Sequence, residues 1–207
     1  RKALTEKEVT DNMKNYLGQV YRILPKGSFE VKYNSSWLSG MSLENFLNLA
    51  GNISAFELMT RNMFRERQEK GSFLGASEFL YPLMQGYDSV AMKIDGEVGG
   101  YDLTFNMLLG RKLEKKLLNK DKLVFATKLL IDAESGKKMS KTEGGLISLS
   151  DSPQDMFGKT MKTVPDEMIA LVFRLGTEKP IEWIEAKAKA KGEPYEFKKE
   201  LASELVR

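Results

Sequence analysis

The sequence predicts an α/β protein with a mostly parallel sheet, and three observations carry that expectation. Segments with helical periodicity alternate with short apolar runs that suit strands, the pattern of helices packed on a parallel sheet. Punctuation such as Gly51-Asn52, Gly99-Gly100 and the polar residues 132–145 falls between those segments. A hydrophobic share of 42% in 207 residues is enough for a core, and 29% charged residues will solvate the surface.

Taken in order, Thr5 is an N-cap and Glu8, three residues on, completes a capping box. Val9, Met13, Tyr16, Leu17, Val20, Ile23 and Leu24 follow at helical spacing until Pro25-Lys26-Gly27-Ser28 ends the run. Residues 29–33 read as a short strand. Residues 34–70 read as an open helical insertion: Ser42 precedes Leu43, Phe46, Leu47 and Leu49, and Ser54 opens a further run with Phe56, Leu58 and Met59. Ser77 caps a helix over 78–90, with Pro82 early enough to be tolerated. Alternation of Ala91, Met92, Ile94 and Val98 gives a strand over 91–98. A helix over 103–118, a buried strand over 123–131 and a polar loop over 132–145 come next. Helices over 166–175 and 181–190 close the chain.

Composition excludes several chemistries. The chain has no cysteine and no histidine, so disulfides, thiolate zinc sites, thiol nucleophiles, imidazole bases and histidine triads are all unavailable. A catalytic role would have to rest on positioning and charge. A net charge of +3 permits contact with nucleic acid without arguing for it. No apolar run approaches the roughly 18 residues of a membrane span, and the cysteine-free composition fits a cytoplasmic location. The chain lacks an initiator methionine and stops inside a helical pattern, which predicts a piece of a longer chain.

Three constellations carry candidate chemistry. Tyr81, Gln85 and Asp88, at i, i+4 and i+7, line one face of a helix whose neighbours Phe79, Leu80, Leu83 and Val90 are apolar. Buried polar groups need partners, which either a core network or a polar small molecule supplies. The run Glu97-Val98-Gly99-Gly100-Tyr101-Asp102 places paired glycines between a strand and a helix. That suits close approach of an anion or ribose, or an ordinary turn with Asp102 as N-cap. Finally, Lys137, Lys138, Ser140, Lys141 and Thr142 sit among glycines, either as a solvated basic loop or as one that follows phosphates through a reaction.

In that order the three motifs resemble a known family. Lys138-Met139-Ser140-Lys141-Thr142 is similar to the lysine-methionine-serine-lysine-serine loop of class I aminoacyl-tRNA synthetases. Tyr81-x-x-x-Gln85-x-x-Asp88 resembles the amino-acid-binding helix of the tyrosyl enzymes, and 97–102 with Phe105-Asn106 resembles their nucleoside-binding strand and turn. Tyr33-Asn34-Ser35-Ser36-Trp37-Leu38 resembles the start of their connective insertion.

The resemblance implies a partial Rossmann-type parallel sheet with a helical connective insertion and C-terminal helices. The implied divisions are 1–36 (end of the first half of the catalytic domain), 37–75 (insertion and homodimer interface), 76–160 (second half, with the loop at 138–142) and 161–207 (start of a C-terminal helical region). It implies ATP-dependent activation of tyrosine and its transfer to tRNA-Tyr, with Mg2+ accompanying the ATP phosphates and no tightly bound cofactor or resident metal. Tyr81 and Gln85 would hold the substrate ammonium and Asp88 its phenol. Gly99, Gly100, Asp102, Leu129 and Leu130 would face the adenosine, and Lys138, Ser140 and Lys141 the phosphates. Two departures stand out: the family's histidine-containing signature is absent, and Leu103 stands where the family carries glutamine. Residues 1–207 alone are therefore expected to be inactive. A non-catalytic synthetase-derived binding protein is the alternative. Another class I relative with an apolar amino-acid substrate is disfavoured by Asp88, since a buried carboxylate without a donor is costly.

Overall fold

The computed structural model describes residues 4–14, 16–59, 62–131, 146–190 and 193–207. It divides the chain into two compact units, Val31–Leu129 and the combination of Arg1–Glu30 with Leu130–Arg207.

The first unit holds the α/β part. Helices α3 (Ser35–Leu38), α4 (Leu43–Ala50), α5 (Ala55–Met59) and α6 (Asn62–Glu69) precede the long α7 (Ala76–Met92). Strand β1 (Gly96–Gly100), α8 (Thr104–Leu118) and β2 (Leu123–Thr127) follow. β1 and β2 pair in parallel, from Gly96 opposite Leu123 to Gly100 opposite Thr127, with α8 as the crossover. One core is Leu49, Leu83, Val90, Leu109 and Leu113, contributed by α4, α7 and α8. Each such side chain, fully buried, contributes roughly 1.5–3 kcal/mol. α7 and α8 approach closely because Gly86 faces α8: a Cβ there would lie 3.0 Å from Leu113 Cδ1 and 3.3 Å from the Gly110 nitrogen. On the other face of the sheet Val98, Leu123 and Phe125 are exposed.

Several boundaries move. α7 starts earlier than the serine signal implied, with Gly75 as N-cap. The Glu78 carboxylate accepts from the Gly75 N–H at 3.2 Å and from Arg67 at 2.5 Å, which anchors the earlier start. The strand expected over 91–98 begins only at Gly96: α7 continues to Met92, and Lys93 ends it in a left-handed conformation, φ 51°. Ala91 and Met92 are the last turn of α7, Ile94 lies in the link that follows, and Gly99-Gly100 complete the strand instead of following it. Residues 29–33 form no strand, because no described segment pairs with them. The strand over 123–131 stops at Thr127. Ser42, which precedes the apolar run, caps α4 by accepting from the Asn45 N–H at 3.2 Å.

The second unit is helical. α1 (Glu6–Lys14) begins at the expected capping box, with Thr5 N–H donating to Glu8 at 2.7 Å and the Thr5 hydroxyl accepting from the Glu8 N–H at 3.3 Å. A short α2 (Tyr16–Val20) follows. α9 (Pro153–Thr163), α10 (Ile169–Gly176), α11 (Ile181–Lys189) and α12 (Pro194–Val206) pack around Val164, Met168, Ile169, Val172, Phe173, Ile184 and Leu201. The Phe173 ring stacks on Phe197 at 4.9 Å and meets Trp183 edge-on at 5.4 Å. α9 was missed by periodicity, although Ser152-Pro153 with Asp155 is a start signal: Ser152 Oγ accepts from the Asp155 N–H.

Candidate functional site

The polar face of α7 carries Tyr81, Gln85 and Asp88 as their spacing required, and each has a different environment. Asp88 is half-buried and accepts from the indole N–H of Trp37 at 2.9 Å. Burial pushes its carboxyl above the ordinary aspartate value. Hydrogen bonds from Trp37 and Asn34 pull it down, and the charge of Glu97 pushes it up again. Gln85 is held one turn earlier, its Oε1 accepting from Asn106 Nδ2 at 2.7 Å. Tyr81, a further turn back, is 57% exposed. The three residues thus step from a fixed, half-buried carboxylate to an open phenol.

Gly99 and Gly100 close β1 beside the start of α8. A Cβ at Gly99 would lie 3.0 Å from Met107 Sδ, and one at Gly100 would lie 2.6 Å from Asp102 Oδ1 and 3.0 Å from Leu129 Cδ2. Only glycine lets the strand end this close to Asp102 and Leu129. Asp102 sits in a single 3-10 turn, Tyr101–Leu103, that leads into α8. The start of α8 reaches both groups: Asn106 holds Gln85, and Met107 lies against Gly99. Leu130 belongs to the other unit, where it packs on the Phe173 cluster. Lys138, Ser140 and Lys141 lie outside the described residues.

Sequence reasoning took Asn34 and Trp37 as the opening of an insertion and missed their bonds to Asp88. The partners are 51 residues apart for Trp37, and no local pattern links them. It also missed a buried cluster behind the site. The Lys122 ammonium, fully buried, donates to Ser89 Oγ at 2.6 Å and to the Glu97 carboxylate. Glu114 is buried nearby, with no hydrogen-bond partner for either carboxylate oxygen among the described residues. Among the described residues no group of three or more carboxylates is arranged to hold a metal ion. No described helix is long and apolar enough to cross a membrane.

A parallel β–α–β pair with its glycine-ended strand set against a polar helix face fits the Rossmann-type fold of class I synthetases, among other α/β folds. The chain belongs to that class: the family model for tRNA synthetases class I (W and Y) matches residues 1–207. It is 37% identical over 209 residues to tyrosine–tRNA ligase 2 of Vibrio parahaemolyticus, covering all of this chain and 53% of that protein. It is 38% identical over 209 residues to the tyrosine–tRNA ligase of Symbiobacterium thermophilum, covering 51% of it. The chain thus spans about half the length of the curated relatives it matches. In fold it resembles the tyrosyl-tRNA synthetase of Archaeoglobus fulgidus complexed with L-tyrosine, with a TM-score of 0.71 at 21% identity over 96% of this chain and 70% of that one.

Proposed function

We propose that these residues form part of the activating site of a tyrosine–tRNA ligase, which joins tyrosine to ATP as tyrosyl-adenylate, releases pyrophosphate and passes tyrosine to tRNA-Tyr. The observation that carries this reading is the Asp88 carboxylate, half-buried on α7 and oriented by Trp37, in the unit that also holds Gly99 and Gly100. A half-buried acceptor held by two donors suits a ligand hydroxyl. Gln85, its carboxamide fixed by Asn106, accepts from the substrate ammonium with its remaining lone pair, and Tyr81 completes that end. Gly99 and Gly100 give the nucleoside close access to the strand end, Asp102 accepts from its ribose, and Leu129 borders the adenine. ATP enters with Mg2+ on its phosphates. Lys138 and Lys141 steady those phosphates by charge, and Ser140 by hydrogen bonding, as pyrophosphate leaves. Residues 37–75 form the contact of a homodimer. The divisions at 1–36, 37–75, 76–160 and 161–207 follow the same reading.

Amino-acid-dependent ATP–pyrophosphate exchange with the native-length protein tests it. Tyrosine should drive exchange and phenylalanine should not, and Asp88→Ala should remove that preference. Exchange that ignores the phenol, or a preference that survives Asp88→Ala, sinks the assignment. Leu103 favours a second reading, a synthetase-derived protein that binds without catalysing. A lost hydrogen bond to a charged substrate group costs about 1.5–3 kcal/mol. If Leu103 only slows the enzyme, Leu103→Gln should raise the exchange rate roughly tenfold or more. Tyrosine binding with no exchange in either form supports the binding protein.

A further inference from the structure

Behind the candidate site lies a closed polar triangle. The Lys122 ammonium, from the loop between α8 and β2, donates to Ser89 on α7 and to Glu97 on β1, and the Ser89 hydroxyl donates to Glu97 Oε2 at 3.4 Å. Ser89 adjoins Asp88 in sequence. Glu97 stands two residues before Gly99. The triangle therefore joins the phenol-accepting helix to the nucleoside-facing strand at their backs, across a link of only three residues, 93–95.

Room for it comes from Gly110. A Cβ there would lie 2.6 Å from Lys122 Nζ and 2.6 Å from Ser89 Oγ, so any larger residue displaces the ammonium. The charge of Lys122 also faces Glu114, and Lys120 pairs with Asp95 at 2.9 Å on the same side. Burying a lysine and carboxylates is a poor way to gain stability, because apolar side chains of the same volume do as well or better. In some proteins such a group supplies a directional fix between elements that apolar packing does not.

Resting on the tyrosine-activating reading above, we propose that Lys122 is a positioning residue: its buried ammonium locks α7 to β1, so that Asp88 and the Gly99–Gly100 turn keep the spacing that one tyrosine and one ATP require. Substrate hydrogen bonds weaken steeply with distance and angle, and a misplacement of about 1 Å remote from the chemistry is enough to cost orders of magnitude.

The test uses the native-length protein, with active sites counted by the burst of adenylate formed. Lys122→Met removes the ammonium. Gly110→Ala keeps every charge and pushes the ammonium aside. Both should raise the exchange KM for tyrosine and for ATP together, by about tenfold or more per active site. Ser89→Ala, which removes one hydroxyl and retains the charges, should do the same by several-fold, and carries the test if Lys122→Met does not fold. A merely structural role would lower the melting temperature and the active fraction while leaving both KM values of the remaining sites unchanged, and that result overturns the proposal. An effect confined to Lys122→Met, with Gly110→Ala and Ser89→Ala silent, makes the role one of charge and overturns it as well. No tyrosine-dependent exchange in the wild type sinks the tyrosine reading first, and this inference with it.

Discussion

Replacing Trp37 by phenylalanine keeps an aromatic ring and deletes one donor, the N–H that meets Asp88 Oδ1 at 2.9 Å. A hydrogen bond to a charged, partly desolvated acceptor contributes about 1.5–3 kcal/mol. At about 1.4 kcal/mol per pH unit, its loss raises the proton affinity of Asp88 by roughly one to two units. The group already titrates above the ordinary aspartate value because burial, and then the Glu97 charge, outweigh the donors Trp37 and Asn34. If the ionised carboxylate accepts the substrate phenol, tyrosine affinity falls as pH drops through that value. In Trp37→Phe the acid limb should move up by about one to two units. Titration calorimetry with tyrosine between pH 5 and 8.5 measures it, with phenylalanine as the ligand that lacks the donor. The stability linkage has a definite sign. A carboxyl raised in the folded state binds a proton that the unfolded chain releases, so its contribution is fully present below the ordinary aspartate value and is lost as pH rises through the folded value. Trp37→Phe should therefore extend the loss of stability further above the ordinary aspartate value. Superimposable acid limbs in the two proteins would refute the reasoning.

Glu114 is raised chiefly by burial, against the attraction of Lys122. Glu114→Gln should therefore increase the melting temperature at pH 7 by roughly 2–4 °C, and the gain should vanish below pH 4, where the glutamate is protonated; differential scanning calorimetry at both pH values checks it. In the insertion, Leu58 and Phe64 are buried, Phe64 against Phe79 at 4.6 Å, while Phe56 and Phe73 are 85% and 86% exposed. Phe56→Glu should convert the expected dimer to monomer in light scattering at micromolar concentration, and an unchanged dimer places the contact elsewhere. Lys141→Ala should lower the adenylation rate constant far more than tyrosine affinity, measured by rapid quench and by calorimetry. Lost affinity at an unchanged rate gives the loop another task.

Legibility in the sequence followed the range of the forces involved. α1, α4 and α8 were readable because their signals are local: Thr5 with Glu8, the apolar run Leu43, Phe46, Leu47 and Leu49 after Ser42, and an apolar stripe through Leu109 and Leu113. The parallel pairing of β1 with β2 was readable in kind, since a helix separates two short apolar runs. The end of α7 was not. Its last residues alternate as a strand does, and only the left-handed turn at Lys93 decides where the helix stops. Residues 29–33 show the converse: apolar alternation is a tendency, and a strand exists only where a neighbour supplies the ladder.

The candidate site divides along the same line. Tyr81, Gln85 and Asp88 could be placed on one face from spacing alone, because a helix fixes its own angular order. What holds Asp88 and Gln85 in place could not, since Trp37 and Asn106 arrive from other elements. Lys122 is the sharper case. It follows Lys115, Lys116, Lys120 and Asp121, and such a run reads as a solvated surface. Its side chain is nonetheless fully buried, because Gly110 leaves a space one Cβ wide where α7 and α8 meet, and Ser89 and Glu97 supply the acceptors inside it. A charge run states how many lysines a segment has, while the small residue on the facing helix decides which of them turns inward. The informative residue for Lys122 was therefore a glycine twelve positions earlier, and a single sequence offers no way to pair the two.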